Sequence, residues 1–231
     1  MIVLEHIVWD WNGTLLDDRW LTIAVMNRVL ARRNMDELTE DRYLQLFTFP
    51  VIDYYRRLGF DFEKTSFSEL GTEFINEYNT RAFEPQLHNG IIDLLDELNN
   101  NGVSHSILSA SSQKILNTLA THHNIDHYFK AVLGQDNHYA YGKIETGKTL
   151  INKLGIAPKK ILFIGDTEHD LDVANAIGTH CALLSWGHTS TERLDKREVN
   201  VFNAISDLKS WINSCFFYQP TECLVPIPGP R

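Results

Sequence analysis

The chain has 231 residues, 43% apolar and 22% charged, which suffices for one buried core plus a sizeable insertion. A net charge of −9 and the absence of any Lys/Arg run exclude a surface built to neutralise a phosphate backbone, so no nucleic-acid partner is expected. No window reaches the roughly 18 apolar residues of a membrane span. The opening stretch, Met1 to Trp9, lacks a basic front and is broken by Glu5 and His6. Three cysteines, Cys181, Cys215 and Cys223, show no metal-site spacing. A cytoplasmic protein without a membrane partner is the expectation.

His6 to Trp9 reads as a first strand. Helical periodicity follows over Trp20 to Arg33, Leu38 to Phe47, Val51 to Leu58 and Phe67 to Phe83, punctuated by Pro50 and Gly59 and ended by Pro85 to Gly90. The pattern then alternates. Helices are predicted over Ile91 to Asn100, Ser112 to His122, Thr146 to Leu154, Leu171 to Ile177 and Ile205 to Ile212. Strands are predicted over Val103 to Leu108, Ala131 to Leu133, Lys160 to Ile164, Cys181 to Leu184 and Val199 to Phe202. Strands alternating with helices make a parallel, Rossmann-like α/β sheet with right-handed crossovers. Residues 1–15 and 87–214 form this core, 16–86 an inserted all-helical cap, and 215–231 a proline-rich irregular tail.

Two apolar runs end abruptly in aspartate: the one before Asp10, and Ile161 to Gly165 before Asp166. Ligands bind at the carboxyl ends of parallel strands. Two carboxylates delivered to that edge call for a hard divalent cation, and Mg²⁺ acting on a phosphoryl group is the natural chemistry.

The segment Asp10-Trp11-Asn12-Gly13-Thr14-Leu15-Leu16-Asp17 resembles the first motif of the haloacid dehalogenase (HAD) superfamily. The order of the later pieces is similar too: a helical cap, a strand ending in Ser109, Lys143, and Gly165-Asp166-Thr167-Glu168-His169-Asp170. Within the superfamily the chain looks most like the phosphoglycolate-phosphatase-like group. The resemblance implies a Mg²⁺-dependent phosphatase of small phosphorylated metabolites. Asp10 would become an aspartyl-phosphate. Asp10, the Asn12 carbonyl, Asp166 and Asp170 would hold the metal or support its ligands, and Lys143 would offset charge. Asn12, Gly13, Ser109, the Ala110 amide at a helix start and Lys143 would contact phosphate.

Asn12 departs from that family's usual second aspartate, the general acid and base, a role worth ~10²–10⁴-fold. A good leaving group, or another residue among Glu168, His169, Tyr54 and Arg56, would have to make up for it. A catalytically weak phospho-ligand-binding protein on the same scaffold is the competing reading. Gly142 to Thr149 also matches the P-loop pattern, with Lys148 as its lysine, although the polar Gln135 to Tyr141 is not the strand such a loop needs. His122, His123, His127 and His138 fit no zinc spacing. Tyr54, Tyr55, Arg56 and Arg57 are the cap residues expected to select substrate, and Trp186-Gly187-His188 is expected to shape the pocket rim.

Overall fold

The computed structural model describes residues 3–135 and 142–218. Six strands form one parallel sheet: β1 (His6–Trp9), β2 (Ser104–Ser112), β3 (Phe129–Gln135), β4 (Ile161–Gly165), β5 (His180–Leu184) and β6 (Asn200–Phe202). Their order is β3-β2-β1-β4-β5-β6. β1 is central, with Trp9 facing Ile107 of β2 on one side and Ile164 of β4 on the other. β4 is fully buried from Ile161 to Gly165, as its unbroken apolar run requires of a strand covered on both faces. The chain winds outward from β1 to β3 and then returns to β4. The crevice between β1 and β4 is therefore the topological switch point, where ligands of open α/β sheets sit.

Ten helices accompany the sheet among the described residues. Four make up the insert that follows β1: α1 (Arg19–Ala31), α2 (Glu40–Leu46), α3 (Val51–Leu58) and α4 (Phe67–Arg81). The rest are α5 (Ile91–Asn100), α6 (Gln113–His122), α7 (Lys143–Leu154), α8 (Glu168–Ile177), α9 (Thr191–Leu194) and α10 (Ile205–Ile212). Start and stop signals explain their limits. A reciprocal Ser66–Glu69 capping box opens α4, and Gly59 in the left-handed region closes α3.

The sheet carries one apolar cluster on each face. The four-helix insert has a third of its own, centred on Met26, Leu30, Tyr43, Tyr54 and Leu70. Each large side chain buried this way contributes ~1.5–3 kcal/mol. Its two connections run side by side: Asp17 N–H donates to Gln86 O at 2.8 Å and His88 N–H to Leu15 O at 3.0 Å. The insert is bolted to the sheet edge by two arginines. Arg193 Nη1 donates to Leu44 O (2.9 Å) and Phe47 O (2.7 Å), capping the end of α2. Arg19 donates to Trp186 O and Gly187 O and pairs with Glu40.

Two expectations need correction. The chain does not become irregular at 215: residues Asn213–Tyr218 form a wide helical turn, and Cys215 and Phe216 are buried in the sheet's core cluster. Apolar packing holds them there. β2 also runs four residues beyond the predicted end at Leu108. Gln113 ties this end of the strand to β3, its amide donating to Val132 O and its carbonyl accepting from Gly134 N–H, and the ladder resumes at Ser112 opposite Gln135 after an irregularity. Cys223 and His138 lie outside the described residues.

Candidate active site

β1 and β4 end side by side, and each delivers an aspartate. Asp10 continues β1, its N–H donating to Ile164 O at 2.8 Å. Asp166 follows Gly165 of β4, and Asp170 lies in the first turn of α8. One oxygen from each of Asp10, Asp166 and Asp170 lies within 4.8 Å of the other two, and all three residues are buried. Lys143, in the first turn of α7, donates from Nζ to Asp10 Oδ1 and to Asp170 Oδ1, each at 2.6 Å.

The capping box of α8 fixes Asp170. Its Oδ2 accepts from Thr167 Oγ1 at 2.7 Å and from the Thr167 and Asp166 amides, which leaves Oδ1 for the lysine. Asp166 is held by Thr14 Oγ1 at 2.8 Å and the His188 amide at 2.7 Å. Two glycines make room for it. A Cβ at Gly187 would lie 2.2 Å from Asp166 Oδ2, and one at Gly13 would lie 2.5 Å from it; Gly13 also takes φ +73°, strained for any other residue.

Three buried carboxylates face one ammonium, so the site is short of positive charge. Burial pushes Asp10 up to about 8, against the opposing pull of Lys143 and with the help of Asp170 and Asp166. Burial also lifts Asp166 to about 6, with Asp170 adding to it. Burial works against the Lys143 ammonium, but Asp10 and Asp170 outweigh it and hold the lysine charged. An oxygen-only donor set with this charge deficit fits a hard divalent cation. Asp10 and Asp166 would hold it, with Asp170 securing the lysine beside them.

Asn12 faces a second buried network. Its amide donates to Asp18 Oδ2 (2.8 Å) and Tyr78 Oη (3.2 Å), and its carbonyl accepts from Ser111 Oγ (2.7 Å). Asp18 accepts further bonds from the Gly13 amide, Tyr78 Oη and His188 Nε2, while His188 Nδ1 meets Tyr43 Oη at 2.8 Å. Burial opposes the Asp18 charge, but His188, Tyr78 and Asn12 overcome it and hold the carboxyl below its usual range. Sequence reading missed Asp18, Tyr43 and Tyr78. The only local trace was the Asp17-Asp18 pair before α1, whose second carboxylate turns back to the loop rather than capping the helix.

Ser109 is buried and its Oγ accepts from the Ser111 amide at 3.0 Å. Ala110 lies within β2, three residues before α6 begins at Gln113, so its amide is not at a helix start. Lys148 is half-exposed and pairs with Glu145. Since α7 already begins at Lys143, the P-loop-like string is helix, and Lys148 stays on the surface. Of the candidates to replace an acid at position 12, Glu168 is held by Arg193 and Arg197, and Arg56 pairs with Asp53 on the surface. His169 stacks on Phe49 at 4.7 Å and lines a separate small cavity. Among the described residues His122, His123 and His127 join no metal-ligating group.

A cavity of about 190 Å³ lies between the insert and the sheet edge. Asp10, Asn12, Ser109, Ala110 and Lys143 form its floor, while Tyr54, Tyr55, Phe67, Phe74 and Tyr78 come from the insert. The expected selectors thus divide: the two tyrosines of α3 line the cavity, and Arg56 and Arg57 do not.

A parallel sheet with an aspartate cluster at its switch point, under a helical insert, defines a Rossmann-like α/β protein with an acidic site at its strand ends. The family model of the haloacid dehalogenase-like hydrolases matches residues 7–184. The chain belongs to that family, on its phosphatase branch. It is 27% identical over 196 residues to a 5′-nucleotidase of Pseudomonas aeruginosa, covering 82% of this chain and 86% of that one. Phosphoglycolate phosphatase 1 of the same organism is 24% identical, over 79% of this chain and 70% of that one. The crystal structure of a predicted phosphatase from Clostridium acetobutylicum superposes with a TM-score of 0.78 at 18% identity, covering 91% and 98%. No described helix is long and apolar enough to cross a membrane.

Proposed function

We propose that the protein is a Mg²⁺-dependent phosphatase of small phosphorylated compounds that works through a phosphorylated Asp10. The observation that carries this reading is the buried Lys143 bridge between Asp10 and Asp170, with Asp166 alongside, opening on the cavity. A Mg²⁺ ion on Asp10 and Asp166 would let an anionic nucleophile approach an anionic phosphate.

The chain's own residues do the rest. An Asp10 carboxylate oxygen bonds to phosphorus as the bond to the leaving oxygen breaks, and water later hydrolyses the acyl phosphate to free phosphate and Asp10. Lys143 stabilises the added charge throughout, and Ser109 and the nearby amides of β2 are placed to bind phosphate oxygens. The insert acts as a cap that keeps bulk water out. Names of relatives support the class: one is a phosphoglycolate phosphatase, another a 5′-nucleotidase.

A second reading, a phospho-ligand-binding protein of little activity, draws on Asn12, whose amide is committed on three sides and supplies no acid. Beryllium fluoride with Mg²⁺ separates the two. A Mg²⁺-dependent adduct on Asp10, absent from Asp10→Asn, is expected, together with a loss of turnover of about 10⁴-fold or more in that variant. Phosphate-ligand binding that is indifferent to Mg²⁺ and to Asp10→Asn would overturn the phosphatase.

A further inference from the structure

The cavity's lining bears on what the substrate carries besides phosphate. We infer that the leaving group is an uncharged aromatic alcohol, so that the substrates are aryl phosphates rather than phosphates of carboxylated or sugar-like alcohols. This deepens the phosphatase reading and rests on it.

The roof of the cavity is built of rings. Phe47, Phe49, Tyr54, Phe67, Phe74 and Tyr78 all line it. Such rings gain from burying a flat apolar group and from edge or offset contact with it. Among the described residues lining it, the cavity presents no uncommitted cation. Lys143 is held by Asp10 and Asp170, and His188 by Asp18 and Tyr43. A carboxylate or second phosphate on the substrate would lose its water there without gaining a partner. Tyr54 lines the same space with its ring, and its buried hydroxyl has no hydrogen-bond partner among the described residues.

Asn12 points the same way, independently of the rings. With no acid at that position, the leaving oxygen departs as an anion. A phenol ionises near pH ~10 and water near ~16, with alkanols close to water, so phenoxide leaves without the proton that an alkoxide needs. The balance is complete with water alone. The electron pair of the breaking P–O bond leaves on phenoxide, which later takes a proton from solvent. Water then splits the acyl phosphate on Asp10.

The test uses the full chain with Mg²⁺ and Asp10→Asn as blank. Turnover is measured for phenyl phosphate, 2-phosphoglycolate, glycerol 3-phosphate and acetyl phosphate, and inhibition for phenylphosphonate against methylphosphonate. We expect kcat/KM for phenyl phosphate to exceed that of the two alkyl esters by at least about 10²-fold. Phenylphosphonate, which reports ring recognition without leaving-group chemistry, should bind at least about tenfold more tightly than methylphosphonate.

Phosphoglycolate or glycerol phosphate turned over as fast as phenyl phosphate, or equal inhibition by the two phosphonates, would overturn the aryl assignment. Asp10-dependent hydrolysis of acetyl phosphate in that same experiment would leave the phosphatase standing. No Asp10-dependent turnover of any of the four would bring down both.

Discussion

The floor and the roof of the cavity are built on opposite principles. The floor and the carboxylates packed behind it are charged, buried and hydrogen-bonded: Asp166, Asp170, Asp18 and Lys143 each have two or more fixed partners. The roof is a set of rings, among them Tyr54, Phe47 and Phe67 of the insert's own apolar cluster, and among the described residues the buried Tyr54 hydroxyl has no partner. Polar geometry at the strand ends decides what reaction can occur, because a displaced partner there leaves a buried charge alone. Ring packing decides what fits, and tolerates change more readily. Changes to the floor should therefore alter rate, metal binding and stability, and changes to the roof should alter the order of substrates.

The largest effect is expected at Lys143. Lys143→Met removes the ammonium that bridges Asp10 and Asp170, which typically costs ~3–5 kcal/mol because the charges left behind are unpaired. Thermal unfolding without metal should show that loss, partly restored by Mg²⁺, and turnover should fall with it. The control is Lys148→Ala, a solvated residue paired only with Glu145, whose stability should stay within ~0.5 kcal/mol of wild type. Equal effects of the two substitutions would erase the distinction between floor and surface.

Much of this contrast was legible in the sequence, and for a physical reason. Strands buried on both faces must be apolar throughout, so the runs ending at Asp10 and Asp166 marked both the sheet and its reactive edge. Asp170 was placed by the resemblance of the segment Gly165 to Asp170 to a motif of the family, four residues after Asp166. Lys143 and Lys148 could not be separated, since both lie in one Gly-bounded string; only the start of α7 at Lys143 turns one inward and the other to solvent. The network of Asp18, Tyr43, Tyr78 and His188 left no local pattern, because its members are separated by as many as 170 positions. The continuation of β2 through Ser109 to Ser112 was equally hidden, its end being tied to β3 by the side chain of Gln113.

Asn12→Asp sharpens the comparison from within the floor. Its new carboxyl would sit where the amide now donates to Asp18 at 2.8 Å, so the two carboxylates must share a proton. That proton is the one an alkoxide leaving group lacks. Turnover of glycerol 3-phosphate should rise by about 10²-fold, with a smaller gain for phenyl phosphate, at a stability cost of ~1–3 kcal/mol for the lost amide bonds. Steady-state rates together with a melting curve check both halves. An intact fold with an unchanged rate would show that the missing acid is not what limits the enzyme.

The smallest predicted effect is a pH dependence confined to the floor. Asp10, pushed up to about 8, and Asp166, lifted to about 6, both stand above the ordinary carboxylate value. The folded protein therefore binds more protons at these sites than the unfolded chain, and by linkage their stabilising contribution falls as pH rises from about 4, ending near 6 for Asp166 and near 8 for Asp10. His188, raised because Asp18 outweighs burial, has the same sign: its contribution is complete below the unfolded value and is lost on passing the folded one. The buried His6 and His105, lowered to about 3 and about 4, act oppositely, but their effect is complete by about pH 7. A divalent cation on Asp10 and Asp166 removes the penalty at the upper end and competes with fewer protons there. The rise in melting temperature on adding Mg²⁺ should thus be larger at pH 8 than at pH 6, at about 2–4 °C per kcal/mol for a chain of this size. In Asp10→Asn, which keeps the shape and loses the charge, that growth with pH should shrink, whereas Tyr54→Phe in the roof should leave it as it is. A Mg²⁺ shift equal at the two pH values would mean that the ion does not draw its stabilisation from these carboxylates.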